Sequence, residues 1–360
     1  MIMTGRERVL SAFRHEKPDI VPRWCGMTPE FQEKAKKELN LDDEGLLLRF
    51  GDDFRRVYAP YRLPDIPLSE GAVYRTVFGI ERSGIGYGQP LSHPLADATM
   101  KEIHDYPWPD AGTVTQVSDV KSAADSYEKQ YAILGGDWSP YWHDAIDLLG
   151  MENLYLKMFD EPELVDALLK HITDFYFESS RLIFDTASDV IDIFFIGNDF
   201  GSQTGPLLSP EMFNRFLLPP LKRLINLGHD YGLLVQLHSC GGFEPLIPAM
   251  IEAGLDGLHA IQPSCHGMDL HTLKADYGDR ILLNGAIDSH HVLIDCPNPD
   301  CVRKKTFEVL DILTPGGGYV AGASHDTILE ETPVENVLAM FDAVLEYSDN
   351  QLKDSAAQAQ

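Results

Sequence analysis

A histidine and a cysteine two residues apart close an apolar stretch of this 360-residue chain, Leu233-Leu234-Val235-Gln236-Leu237-His238-Ser239-Cys240-Gly241-Gly242. Alternate residues of an extended strand share a face, so His238 and Cys240 can offer one nitrogen and one sulfur to a tetrahedral Zn2+ while the glycines turn the backbone away. Two donors do not complete a site. A third is expected from His325, which ends the run Gly318-Tyr319-Val320-Ala321-Gly322-Ala323-Ser324-His325-Asp326, with Cys265 in Gln262-Pro263-Ser264-Cys265-His266 as the competitor. Carboxylates also stand beside apolar runs at Asp53, Asp137, Asp199 and Asp288. One such group alone is commonly a helix cap or ion-pair partner; four at one rim would suit acid, base or metal chemistry. Cys25 fits a buried or a functional role, whereas Cys296 and Cys301, around Pro297-Asn298-Pro299, read as solvent-side or packing residues.

These groups need elements that bring them together. Short apolar runs near Ile20-Met27, Asp53-Tyr58, Tyr131-Gly135, Asp189-Ile196, Leu233-His238, Gly257-Ile261, Arg280-Asn284 and Gly318-Ala323 are continuous enough to be strands buried on both faces. Helical patterns alternate with the later ones: Pro162-Ala187, Ser209-Tyr231, Glu244-Ala253, Asp300-Leu313 and Thr332-Tyr347. Ser209 and Thr332 each precede a proline, a cap followed by a first-turn residue. Thr4 with Glu7 predicts a capped opening helix. Eight strands with polar residues at their ends favour a single (β/α)8 TIM barrel over a doubly wound sheet, since no Gly-rich phosphate turn follows an early strand. The barrel is expected over residues 1–348, with the Pro- and Gly-rich segment 62–109 as an excursion or lid and residues 349–360 as a polar, fraying tail.

Composition narrows the partners. The chain is 44% hydrophobic and 24% charged, with 29 Lys and Arg against 56 Asp and Glu for a formal charge of -27. Such a field opposes nucleic acid and anionic membranes, and no apolar run is long enough to span a bilayer. Five widely spaced cysteines and an opening without an apolar signal region predict reduced thiols in a cytoplasm.

Taken in order, the motifs resemble the uroporphyrinogen decarboxylase superfamily. They are Arg6-Glu7-Arg8-Val9 through Pro18-Asp19-Ile20-Val21-Pro22, Gly197-Asn198-Asp199-Phe200-Gly201-Ser202-Gln203 with Leu208-Ser209-Pro210, His238-Ser239-Cys240-Gly241-Gly242, Gln262-Pro263-Ser264, Asn284-Gly285-Ala286-Ile287-Asp288, and Ser324-His325-Asp326 through Thr332-Pro333-Val334-Glu335-Asn336. The resemblance covers essentially the whole chain and implies a (β/α)8 barrel. Decarboxylases of the superfamily carry an arginine-rich signature, Arg-Gln-Ala-Gly-Arg-Tyr, where this chain has Pro22-Arg23-Trp24-Cys25-Gly26-Met27. Without those guanidinium forks, a polycarboxylated porphyrinogen has no evident electrostatic basis for binding.

The other branch, zinc-dependent methyltransferases that exchange methyl groups with the cobalt of a corrinoid protein, resembles this chain in its His-x-Cys pair. Members acting on coenzyme M complete the zinc set with a cysteine where this chain has His325. The resemblance implies zinc on His238 and Cys240, with His325 expected as the third ligand and Cys265 as its alternative. Asp199 and Asp288 are the expected catalytic or orienting groups, and Trp24, Trp138, Asn198 and Gln262 the expected substrate contacts. A neutral imidazole leaves the site one negative charge poorer than a thiolate, which favours polarising an ether oxygen, hence a methoxy donor. The implied partners are a corrinoid protein and a small methyl donor or acceptor, a homodimer is left open by the sequence, and the alternatives are a decarboxylase and a non-catalytic barrel subunit.

The acidic excess predicts no measurable DNA affinity at physiological salt. A gel shift that weakens with added salt would contradict this.

Overall fold

The computed structural model describes residues 2–84 and 88–358, with side chains to residue 353. Eight parallel strands form one sheet: β1 Arg23–Trp24, β2 Phe54–Arg56, β3 Ala132–Gly135, β4 Ile193–Gly197, β5 Leu234–His238, β6 Gly257–Ile261, β7 Leu282–Ile287 and β8 Tyr319–Ala323. Each overlaps one of the apolar runs expected to be a strand, with β4 running one residue and β7 three residues beyond its run. The spatial order runs β1, β8, β7, β6, β5, β4, β3, β2, so sequence neighbours are spatial neighbours around the ring. Between β1 and β2 the seam is drawn together by the Asp53 N–H donating to the Arg23 carbonyl at 3.0 Å. Every strand is short and buried, which is why the runs read as continuously apolar rather than alternating.

Side chains of Trp24, Phe54, Ala132, Leu134, Ile193, Phe195, Leu282 and Val320 fill the barrel, and Val9, Ala12 and Phe13 of the opening helix Gly5–Phe13 join the same apolar cluster. That helix plugs the N-terminal end of the barrel. It starts where expected: Thr4 accepts from the Glu7 N–H, and the Glu7 carboxylate accepts from the Thr4 N–H at 2.7 Å. The helices Pro162–Ala187, Pro299–Leu313 and Val334–Gln358 cover the outside of the sheet. The last of these continues through residues expected to fray. The helix expected over Ser209–Tyr231 contains a π turn at Phe213–Leu217; Pro219 and Pro220 just beyond it have no N–H to keep the regular ladder.

The described residues of the segment 62–109, which exclude 85–87, contribute no strand to the eight-stranded sheet and include a three-stranded antiparallel sheet of Tyr74–Arg75, Glu81–Ser83 and Gln89–Pro90. It is anchored on the barrel by Arg82, which pairs with Asp147 at 2.5 Å, and by buried Phe78, which packs edge-on against Trp108, Phe175 and Tyr176. One cysteine expectation is corrected: Cys296 and Cys301 form a disulfide across the turn that begins the helix Pro299–Leu313, while Cys25, Cys240 and Cys265 are free. Among the described residues no helix is long and apolar enough to cross a membrane.

Gly197, the last residue of β4, shows how the barrel interior constrains its rim. A Cβ there would lie 1.8 Å from Cε2 of the Trp138 indole, which crosses the end of the strand. Gly197→Ala is expected to displace that ring and destabilise the protein by about 1–3 kcal/mol, the usual cost of overpacking; urea denaturation with an unchanged midpoint would contradict it.

Candidate active site at the barrel mouth

The parallel register places His238, at the end of β5, beside Gly197 of β4 on one side and His259 of β6 on the other. The chain then turns at Ser239-Cys240-Gly241, and the Cys240 thiol folds back to 3.4 Å from His238 Nε2. Gly241, at φ +86°, can make this turn because a Cβ would strike the backbone of Gly201 and Ser202. Asp199, beyond the end of β4, completes the group. Its Oδ1 accepts from the Cys240 N–H at 2.8 Å and lies 3.4 Å from His238 Nε2, while Oδ2 lies 3.3 Å from His143 Nε2.

The donor atoms of Asp199, His238 and Cys240 all lie within 4.8 Å of one another. A tetrahedral zinc with bonds of about 2.0–2.3 Å separates its ligands by about 3.3–3.8 Å, so the two 3.4 Å spacings suit such an ion. A second group of three, His238, His259 and Asp326, meets the same criterion and shares His238.

The electrostatics are those of a coupled cluster. Burial opposes charge on all three donors, but the partners win. The Cys240 thiolate and the Asp199 carboxylate hold His238 well above the ordinary imidazole range, and His238 in turn lowers Cys240. Hydrogen bonds with His143 and His238 hold Asp199 far below the usual carboxylate range. His259 goes the other way: burial, reinforced by His238 and His325, keeps it neutral.

The expected residues divide clearly. His238 and Cys240 come together, but the third member of their compact group is Asp199 rather than His325. His325 hydrogen-bonds Cys240 and is turned by a local contact, Nδ1 lying 3.0 Å from the Thr327 carbonyl, so it belongs to neither three-donor group. Cys265 contacts the Gln262 Oε1 at 3.5 Å. Of the four carboxylates expected at one rim, only Asp199 faces the donor set. Asp53 precedes β2 and accepts from the Arg23 N–H at the opposite end of the barrel. Asp137 is half-buried and accepts from the Tyr61 and Ser179 hydroxyls. Asp288 accepts from the N–H groups of His290 and His291 and so caps the following turn.

Among the expected substrate contacts, Trp138 lines the cleft and stacks at a tilt on His238, with ring centroids 5.5 Å apart. Trp24 lies deeper, against His259, Phe54 and Phe195 inside the barrel. Asn198 is fully buried and ties two loops together, accepting from Trp142 N–H at 2.9 Å and donating to the Ser139 carbonyl at 3.1 Å. Gln262 accepts from the Gly241 N–H at 2.7 Å and so holds the glycine turn.

The cleft above the cluster has a volume of about 600 Å³ and is lined by Trp138, His143, Asp144, Asp147, Asp199, His238 and Asp326, with Arg82 and Gln89 reaching in from the excursion. Residue-by-residue reading missed His143, His259 and Arg82. A histidine inside an apolar strand reads as core until the register puts it beside His238, and Arg82 depends on the path of an irregular segment. Arg82 is the cleft's one described Lys or Arg, and it is already paired with Asp147.

Residues 83–347, well over half of the chain, match the profile of uroporphyrinogen decarboxylase (URO-D). The chain belongs to the URO-D family. Within that family it is 22% identical to the methylcobamide:CoM methyltransferase MtbA of Methanosarcina mazei over 365 residues, covering 96% of this chain and 98% of that protein. It is 25% identical to the uroporphyrinogen decarboxylase of Coxiella burnetii over 198 residues, 53% of this chain and 50% of that one. The match to the Methanosarcina acetivorans MtbA likewise spans only 62% of that protein, at 22% identity. In fold, this URO-D chain superposes on a methyltransferase from Methanosarcina mazei with a TM-score of 0.66 and 20% identity, over 96% of this chain and 99% of the other.

Asp144, on the cleft wall, is buried and accepts from the Tyr176 hydroxyl at 2.5 Å; burial, partly offset by that bond, pushes its carboxyl up to about 7. Its unfolded value is about 3.9, so the folded protein holds this proton more tightly. The stability gained is fully present below about pH 3.9 and is lost as pH rises through 7. Asp144→Asn, neutral at every pH, should therefore gain on the wild type progressively between about pH 4 and pH 7 in urea denaturation. A difference flat across that window would contradict the assignment.

Proposed function

We propose that the protein is a zinc-dependent methyltransferase that moves a methyl group between a small methylated compound and the cobalt of a corrinoid protein. The observation that carries this reading is the Asp199–His238–Cys240 group at 3.4 Å spacings, open to a cleft at the barrel mouth. Those three residues would hold the ion, with His325 beside Cys240. When bound, zinc supplies a Lewis acid that lowers the pKa of a substrate thiol or hydroxyl, or draws charge from an ether oxygen.

The protein's own residues supply the rest. Asp199 fixes the Cys240 backbone and presents an oxygen to the same point as the sulfur. Trp138 gives the cleft a flat apolar wall, and the excursion carrying Arg82 and Gln89 narrows access from solvent. Full-length similarity to a methylcobamide:CoM methyltransferase supports methyl transfer with a corrinoid partner.

The charge argument for a methoxy donor changes with the third donor. Asp199 brings the negative charge that a neutral His325 would not, so the set is no poorer in charge than one with two thiolates. It is harder, because a carboxylate oxygen replaces a sulfur, and hardness still favours oxygen-bearing donors over thiols. The decarboxylase alternative lacks support in the cleft. Glu30, Asp144, Asp147, Asp199 and Asp326 line it against the already paired Arg82, and Arg23, at the place of the arginine signature, is buried against Gly51. A polycarboxylate would meet repulsion there.

Protein purified without added metal should contain zinc, and Cys240→Ala should lose most of it by elemental analysis. With reduced cobalamin and a panel of methoxylated and methylated donors, the zinc-loaded protein should form methylcobalamin, followed by absorbance. No transfer from any donor, together with turnover of uroporphyrinogen, would reverse the assignment.

A further inference from the structure

His259 lies inside the barrel with no exposed surface, on β6, at the register position paired with His238 of β5. The two Nδ1 atoms are 3.1 Å apart. Imidazole nitrogens at that distance share one hydrogen: one ring carries it and the other accepts. The direction is set by the far side of His238. Its Nε2 lies 3.4 Å from both Cys240 Sγ and Asp199 Oδ1, among the donors of the candidate zinc set, and a ligating nitrogen must offer its lone pair. A neutral His238 that does so carries its hydrogen on Nδ1. His259 must then accept at Nδ1 and hold its own hydrogen on Nε2.

The surroundings of His259 agree with this tautomer. Its ring is held between Trp24, with centroids 4.7 Å apart, and Phe195, at 5.5 Å, so it cannot swing away from His238 without displacing the barrel's aromatic filling. Asp326 Oδ1 stays 3.9 Å from His259 Nδ1, outside hydrogen-bond distance, and does not compete for that nitrogen. Nε2 has no hydrogen-bond partner among the described residues, so its hydrogen lacks an acceptor and His238 alone decides the tautomer.

We propose that His259 is a positioning residue, the acceptor for the His238 Nδ1 hydrogen that keeps the His238 Nε2 lone pair aimed at the Asp199–Cys240 donors. Histidines that bind metals commonly donate their second N–H to a carboxylate, carbonyl or water, which fixes both tautomer and ring orientation. Here a buried neutral imidazole fills that place. The direction of this hydrogen bond rests on the reading given under Proposed function, which makes Nε2 the ligating nitrogen; the 3.1 Å contact between the two rings does not.

Two measurements on the full chain separate these claims. Nitrogen NMR of 15N-histidine-labelled protein, with and without zinc, should show His259 with hydrogen on Nε2 and a bare Nδ1 in both states. Hydrogen on His259 Nδ1 in either state overturns the proposal, whether or not zinc binds. In a chelator competition for zinc, His259→Leu, which offers no acceptor, should bind about 10–100-fold more weakly than wild type, and His259→Gln, which offers Oε1, should recover much of the loss. Equal affinities for all three overturn the positioning role. If His259→Leu does not fold, the wild-type spectrum and the His259→Gln affinity decide, a wild-type-like tautomer and near-wild-type binding being the supporting result. Wild-type protein that takes up no zinc defeats the metal reading alone, and the spectrum still decides for His259.

Discussion

Asp199 is the group on which the arrangement at the mouth depends. One oxygen accepts the Cys240 backbone N–H and faces His238, and the other faces His143, so the end of β5 with its following turn and the helix Tyr141–Leu149 are both referred to a single carboxylate. Its own position is secured on both sides. The Asn198 N–H donates to the His238 carbonyl at 3.0 Å, and the Phe200 N–H donates to Ser239 Oγ at 3.0 Å, which laces the segment after β4 to the segment after β5. A thiol, an imidazole and a carboxylate can be kept this close in a buried setting because each charge has an opposite charge or a backbone donor beside it.

The same eight strands give the two ends of the barrel different characters. Towards the N-terminal end the interior is hydrocarbon, completed by Val9, Ala12 and Phe13 of the opening helix. Towards the C-terminal end the inward positions become His238, His259 and, just beyond, Cys240 and Asp199. The change happens within a few residues of each strand, so catalytic-type groups are placed by the most rigid part of the fold while the excursion over them remains free to vary.

Much of this was legible in the sequence because buried parallel strands announce themselves as unbroken apolar runs, and all eight lie where those runs are. His238 and Cys240 were legible for a related reason: strand periodicity alone puts them on one face. Their companions were not. Whether Asp199 or His325 joins them is decided by how two loops return after β4 and β8, and in the second case by a contact of His325 with Thr327 only two residues away. Asp53, Asp137 and Asp288 look alike as carboxylates beside strands, yet one lies at the wrong end, one is taken up by two hydroxyls and one caps a turn. His259 is invisible without the register, since nothing local distinguishes a histidine packed in a core from one paired with a neighbour.

With the N-terminal end plugged by the opening helix, the described residues leave the barrel its C-terminal mouth as an entrance. Under the proposed reading, a small methylated compound and the much larger corrinoid carrier must both use it, and they cannot pass one another there. Docking of the carrier would seal the small molecule in against the donors and shut out water. Its departure would then be the event that lets the spent compound out. The order in which the two partners come and go would thus be set by the barrel's shape, with no moving gate required.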